Sequence, residues 1–254
     1  MSNIEVIVLG SGTRVLLPDR SMSGYAVIAP DFFIMLDCGG GAIRRGLEAG
    51  LSMLAVDAIL ISHLHLDHIA DLPAFLWSLH GEGKERASRP LYLFGPPGFR
   101  NFFIGLVNLF GDWINDIVAP TKVREVNEEK LSLGPWRVEV FSMKHGVPAN
   151  GYRLESQGKT LAYTGDTGPC DAAVALARGA DLLIAECSLP AGEKMPTHLN
   201  AAEVGQLATA ANCRCVLLSH LYPESLAVDA VAQCREFFAG KVELSHDLKR
   251  LILS

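Results

Sequence analysis

The stretch Ala58–Pro73, AILISHLHLDHIADLP, decides how this chain is read. An apolar run stops at Ser62, and His63, His65, Asp67 and His68 follow within six residues. The run Ala58–Ser62 predicts a buried strand whose end places a loop at one rim of a sheet. Two apart in an extended turn, His63 and His65 can face one side. Asp67 and His68 fall at the start of a predicted helix, Ile69–His80, where free backbone N–H groups and the helix dipole favour a carboxylate. Imidazole nitrogens and carboxylate oxygens are ligands that suit zinc and similar transition metals. A lone histidine would read as packing; three with an acid directly after a strand read as a metal site.

A zinc takes about four ligands, so others must come from elsewhere in the chain. Three further apolar strands end in the same manner. RVEVFSMKHG runs out in His145, CVLLSHLYP in His220, and KTLAYTGDTG in Asp166, with Gly165 and Gly168 allowing a tight turn around it. Strand tips from distant segments can thus converge on one rim. Together with His63, His65, Asp67 and His68 they make seven ligands, too many for one zinc and suited to two with a shared bridge. Asp166 is the natural bridge because a carboxylate has two oxygens. Two metals about 3.5–4 Å apart can clamp both the attacking and the departing oxygen of a displacement.

The rest of the chain supplies a scaffold. Strands come first (Ile4–Leu9, Tyr25–Ala29, Phe32–Leu36), then a turn and helix in DCGGGAIRRGLEAG, then Leu91–Phe94 and a long apolar helix from Phe99. A second series follows: strands Lys122–Val126, Trp136–Ser142, Gly151–Glu155 and Lys159–Tyr163, the last two joined by the hairpin signal ESQGK. Helices near Ala172–Arg178, Ala201–Ala210 and Leu226–Phe238 then alternate with strands Asp181–Glu186, Cys215–Ser219 and Val242–Leu244. Two mixed sheets packed face to face with helices outside satisfy that pattern, and 254 residues are enough for one such domain, 1–254.

Composition narrows the function. A net charge of −6 argues against a dedicated polyanion binder, which needs clustered Lys and Arg. The one basic loop, GEGKERASR (81–89), reads equally as a solvated surface. MSNIEVIVLGSG has no basic n-region, so no signal peptide is expected, and the six cysteines read as reduced thiols of a cytoplasmic protein. The helix Phe99–Val118 carries Arg100, Asp112 and Asp116, which excludes a membrane span. Its apolar residues, Phe99 through Ile117 at spacings of three and four, read as a core or dimer face.

HLHLDH, with the later KHG, TGDT and LSH, resembles the metallo-β-lactamase superfamily over nearly the whole chain. GSGT at Gly10–Thr13, Glu186 in LLIAECS and His198 in THLNAAEVGQLA resemble its ribonuclease Z-like branch. The resemblance implies an α/β (α+β) fold, a four-layer αββα sandwich of two mixed β-sheets flanked by helices. It implies that His63, His65 and His145 hold one metal, that Asp67, His68 and His220 hold the other, and that Asp166 bridges them. Asp67 would also orient the nucleophilic water, and Glu186 with His198 would form an acid pair that protonates the leaving oxygen. Two divalent ions follow, zinc foremost, with manganese, iron or nickel served by the same ligands.

The expected activity is hydrolysis of nucleotide or RNA phosphodiesters through a metal-activated hydroxide, by a cytoplasmic enzyme without a membrane partner. The branch also implies a homodimer. Alternatives on the same site are tRNA 3′-end processing, or hydrolysis of a lactone, thioester or sulfate ester. Only GVPANGYRLESQGKTLAYTG separates His145 from Asp166, which leaves no room for the long arm of the tRNA-processing members. His80 and His246 remain outside these roles and read as structural.

Overall fold

The computed structural model describes residues 4–79, 89–111 and 121–253. Among the described residues, fourteen strands lie in two sheets of seven. The first contains β1 (Ile4–Gly10), β2 (Gly24–Ala29), β3 (Phe32–Leu36), β4 (Ala58–Leu60), β5 (Tyr92–Gly95), β6 (Lys122–Glu125) and β14 (Arg250–Leu253), in the order β14-β1-β2-β3-β4-β5-β6. The second contains β7 (Lys130–Leu133), β8 (Trp136–Ser142), β9 (Asn150–Ser156), β10 (Lys159–Tyr163), β11 (Leu182–Glu186), β12 (Cys215–Ser219) and β13 (Lys241–Leu244), in the order β13-β12-β11-β10-β9-β8-β7.

Each sheet repeats one plan. Pairing is antiparallel from β14 to β3 and from β7 to β10, then parallel from β3 to β6 and from β10 to β13. Parallel neighbours need a long crossover, usually a helix, which explains why the helical segments follow the strands in each half. In the ESQGK hairpin Gln157 and Gly158 both take positive φ (53° and 73°), the two-residue turn whose twist matches its strands.

Strand alternation builds three apolar layers. Val6 and Val8 point between the sheets, where Tyr25, Trp136, Tyr152 and Ile184 meet them; Ile7 and Leu9 point outward under the helices. The outer face of the first sheet is covered by α1 (Ala42–Glu48), α2 (Leu66–Ile69), α3 (Leu72–Leu79) and α4 (Phe99–Phe110). That of the second is covered by α5 (Asp171–Ala177), α6 (Ala201–Ala210), α7 (Pro223–Leu226) and α8 (Ala230–Arg235). The layers are therefore α, β, β, α. β4, β11 and β12 are buried on both faces, hence their unbroken apolar sequences.

Three features differ from the sequence reading, and the face of α4 divides between core and surface. The helix expected over 69–80 breaks at Asp71, whose Oδ2 accepts from the N–H groups of Gly41 (2.9 Å) and Ile43 (3.1 Å) and so caps α1. The helix expected over 226–238 breaks before Asp229, which caps α8 by accepting from the Ala232 N–H at 2.9 Å. β7 and β14 are short edge strands with exposed alternate residues, too polar to stand out by pattern. In α4, Phe99 and Leu106 enter the core, whereas Leu109 and Phe110 are exposed; Trp113, Ile114 and Ile117 lie outside the described residues. Of the basic loop only Arg89 is described, and it pairs with Asp57 at 2.6 Å; His80 also lies outside. All six cysteines are free thiols, and no described helix is long and apolar enough to cross a membrane.

Candidate metal centre

The C-terminal ends of β3, β4, β10, β11 and β12, with the loop after β8, meet at one rim, and all seven sequence-predicted ligands lie there. Asp67 and His68 come from α2, a single turn directly after the His63–His65 loop. The Nε2 of His63 is 2.9 Å from Nδ1 of His65, which is 3.3 Å from Nε2 of His145. Three imidazole nitrogens thus face one point. Asp67, His68 and His220 form a second set with ligand atoms mutually within 4.8 Å.

Asp166 stands between the two. Its Oδ2 is 3.8 Å from His63 Nε2, and its Oδ1 is 3.5 Å from Nε2 of both His68 and His220. Asp166 Oδ1 and His68 Nε2 are buried without a hydrogen-bond partner. Buried polar atoms are rarely left so, and an unpartnered carboxylate oxygen facing an unpartnered imidazole nitrogen fits a cation between them. The donor set, imidazole and carboxylate, suits a divalent transition metal.

The far side of four of these rings is held. His68 Nδ1–H donates to Asp37 Oδ2 (2.6 Å) and His145 Nδ1–H to the Thr197 carbonyl (3.1 Å). Ser62 Oγ gives its proton to Asp37 (2.8 Å) and accepts from His63 Nδ1–H (3.1 Å). Ser188 Oγ gives its proton to Glu186 Oε2 (2.5 Å) and accepts from His220 Nδ1–H (3.3 Å). Each ring is thereby fixed in the tautomer whose Nε2 lone pair points inward, the arrangement that metal-binding histidines require.

The backbone is bent to make this possible. Asp37 and His220, each just past a strand end, take left-handed conformations (φ 59° and 52°) that side-chain-bearing residues adopt at a cost, typically at functional sites. Gly168 packs so closely on the 195–198 loop that a Cβ would sit 1.9 Å from the Pro196 carbonyl oxygen. Gly168→Ala must therefore displace either Asp166 or the loop carrying Thr197 and His198. Its melting temperature is expected to fall by several degrees in thermal melts beside the parent.

Charge is distributed to match. Burial holds His63 far below the ordinary imidazole range, and burial also lowers His65 and His145, so the first set keeps its lone pairs. Burial opposes charge on His68 too, but Asp166 and Asp37 overcome it and raise its proton affinity well above normal. Burial likewise works against ionised Asp166 and Asp67. His220 and His68 nevertheless hold both carboxylates below the usual range. The second set is a place that favours positive charge.

Beside it lies a different pair. His198 stands two residues before Asn200, which caps α6 in a reciprocal capping box with Glu203. His198 Nδ1 is 3.0 Å from Glu186 Oε2 at the end of β11. Burial would depress His198, but the hydrogen bond and charge of Glu186 raise it; burial and the charge of Asp166 raise Glu186. The two side chains form a hydrogen-bonded pair at the edge of the cluster. His246, by contrast, is exposed and bonds the Asp247 carbonyl.

The sequence reading did not single out Asp37, Ser62, Thr197 and Ser188. Asp37 carried a usable signal, since FFIMLDCGG is another apolar strand ending in an acid. The others act through contacts that no local pattern announces.

Residues 34–221 match the family described as beta-lactamase superfamily domain. The chain is 33% identical over 251 residues to the uncharacterized protein ML1173 of Mycobacterium leprae, covering 94% of this chain and 85% of that protein. It is 28% identical to a ribonuclease Z of Mycobacterium bovis, over 98% of each. The structure is similar to that of the metallo-beta-lactamase fold protein YhfI from Bacillus subtilis, with a TM-score of 0.84 and 23% identity over the full length of both chains. The αββα layers, the rim of histidines and aspartates, and these matches lead to one conclusion: the chain belongs to the beta-lactamase superfamily and has the metallo-β-lactamase fold.

Proposed function

We propose that this protein is a hydrolase of phosphodiesters that works with two divalent metals. The observation that carries the reading is Asp166, one oxygen turned to His63 and the other to His68 and His220. In this reading His63, His65 and His145 hold one ion, Asp67, His68 and His220 the other, and Asp166 bridges. When bound, two such ions supply Lewis acidity to the phosphate oxygens and lower the pKa of water. Zinc is the ion expected first.

The chain's own residues do the rest. Asp67, its Oδ2 3.4 Å from His220 Nε2, orients the attacking water. Hydrolysis forms a P–O bond to that water's oxygen, whose proton is released to solvent, and breaks the bond to the leaving oxygen, which departs with a proton that the acid later regains from solvent. His198 delivers it from Nε2, while Glu186 at Nδ1 keeps the ring protonated.

Two measurements test this. Elemental analysis of the purified chain should find two divalent ions per molecule. Turnover of bis(p-nitrophenyl) phosphate should depend on them and exceed that of p-nitrophenyl acetate, a lactone, a thioester and a sulfate ester; turnover of a carboxylic ester alone would overturn the phosphodiester reading. The relatedness to a ribonuclease Z favours RNA as a second substrate reading, so a precursor tRNA belongs in the panel. The β9–β10 hairpin, the only regular structure between His145 and Asp166, leaves that region without a protruding arm and favours something smaller.

His198→Ala separates acid catalysis from metal binding. It should retain both ions and cleave p-nitrophenolate esters within a few-fold of the parent. Diesters with an alkoxide leaving group should slow by about 10²–10⁴-fold, the usual worth of a positioned acid. Equal losses on both substrates would remove the acid role.

A further inference from the structure

We infer that a second cavity beside the metal centre receives the nucleoside on the leaving side of a compact phosphodiester, so that this chain selects mono- and dinucleotide diesters over longer RNA. The inference rests on the phosphodiester reading above and names the substrate class of that site.

Two cavities meet at Arg14, His198 and Tyr222. The first, about 640 Å³, opens on His65, Asp67 and Asp166. The second, about 260 Å³, lies beyond and is walled by Leu189, Glu193, Met195 and Glu224. A substrate with its phosphorus at the metal ligands therefore passes His198, the proposed acid, before reaching the second cavity. That cavity is on the leaving-group side. Its volume is below the about 300–1,000 Å³ of a whole small-molecule site, the scale of one part of a ligand.

The walls specify which part. Tyr222 is a fixed aromatic surface: its ring meets His220 and His198 edge-on at 5.8 and 6.4 Å, and its hydroxyl accepts from Arg14 Nε at 3.3 Å. Leu189 and the exposed Met195 add apolar and polarizable surface. Aromatic and thioether walls suit a flat ring. Glu193 and Glu224 can only accept hydrogen bonds when ionised, so the ring must bring N–H donors, as the amino groups and ring N–H of nucleobases do. Arg14 is the only Lys or Arg lining either cavity among the described residues, and it stands where the two join, suited to one phosphate.

The same two glutamates argue against a polymer. An RNA strand continuing through this cavity would carry further phosphates past Glu193 and Glu224, with no second Lys or Arg lining the cavity among the described residues. A long acyl chain is disfavoured as well, because it would bury two carboxylates without donors.

The test uses metal-loaded protein. Adenosine 5′-monophosphate should bind about tenfold more tightly than ribose 5-phosphate in calorimetry, the worth of one stacked base. Tyr222→Leu should abolish that difference, and Tyr222→Phe, which keeps the ring, should retain it. Equal binding of the two ligands by the parent protein would overturn the inference whatever the enzyme hydrolyses. In turnover, kcat/KM for adenylyl-(3′,5′)-adenosine should fall about tenfold in Tyr222→Leu and stay within a few-fold of the parent in Tyr222→Phe. A twenty-nucleotide single strand should be the poorer substrate per cleavable bond; if it matches the dinucleotide, selection for compact substrates is refuted. Failure of the phosphodiester reading looks different: no diester is cleaved, while the calorimetric comparison still reports on the cavity.

Discussion

Asp166→Ala is expected to leave a folded protein that holds fewer than two metal ions and turns over bis(p-nitrophenyl) phosphate about 10³-fold more slowly or worse. Of the seven residues proposed as ligands only Asp67 and Asp166 bring negative charge, so two divalent ions held there would lean on two carboxylates. Removing one would halve the compensation and leave the repulsion between two close divalent ions less well offset. The position matters as much as the charge. Asp166 Oδ1 lies 3.5 Å from both His68 and His220, and Oδ2 reaches the other set through His63 at 3.8 Å. Among the described carboxylates only Asp166 lies within 4 Å of imidazole nitrogens of both sets. Asp166→Asn, which keeps the shape and one good acceptor, should fall between parent and alanine variant in metal retention. Plasma mass spectrometry of metal per chain after gel filtration, read beside turnover and circular dichroism, checks the expectation. A folded alanine variant that still carries two ions would remove Asp166 from the bridging role and the proposed mechanism with it.

The gathering of the candidate ligands at one rim was legible in the sequence because its parts obey one local rule. His63, His145, Asp166 and His220 each follow an apolar strand, and a strand that must be buried fixes where its tip emerges. HLHLDH concentrates the rest in six residues. What escaped depends on partners far away in the chain. Asp71 interrupts a continuous helical pattern because it caps α1, 28 to 30 residues earlier. β14 exists because it pairs with β1 from the opposite end of the chain. Arg14 and Tyr222 are 208 residues apart and meet only in the folded molecule. Asp37 was readable by the same strand-tip rule, yet a single acid before three glycines also describes an ordinary turn, and only its four donors reveal what it does.

Those donors make Asp37→Asn the sharpest test of how the centre is supported. The side chain is fully buried. Its Oδ1 accepts from the Ser62 N–H at 2.6 Å, and its Oδ2 from Ser62 Oγ at 2.8 Å, His68 Nδ1 at 2.6 Å and Tyr163 OH at 2.5 Å. An asparagine has one acceptor oxygen and an amide that only donates, so at least one buried donor must face another. Each such mismatch costs about 1–3 kcal/mol, and loss of a charged partner for His68 adds to it. A drop in melting temperature on the order of 10 °C is expected, since about 2–4 °C accompanies each kcal/mol in a chain of this size. Function should fail along a defined route. His68 would face a neutral amide oxygen in place of a carboxylate, and Ser62, which seats His63, would lose the acceptor of its N–H, so one ligand in each proposed metal set is loosened by a single substitution. Metal affinity should weaken by about 10–100-fold at both positions, the range seen when an outer partner of a ligand is removed. Zinc titration with a competing chromophoric chelator, at a temperature where the variant remains folded, separates this from simple unfolding. If metal affinity is unchanged while stability falls, Asp37 serves only packing; if neither changes, the hydrogen-bond assignments around the two histidines are wrong.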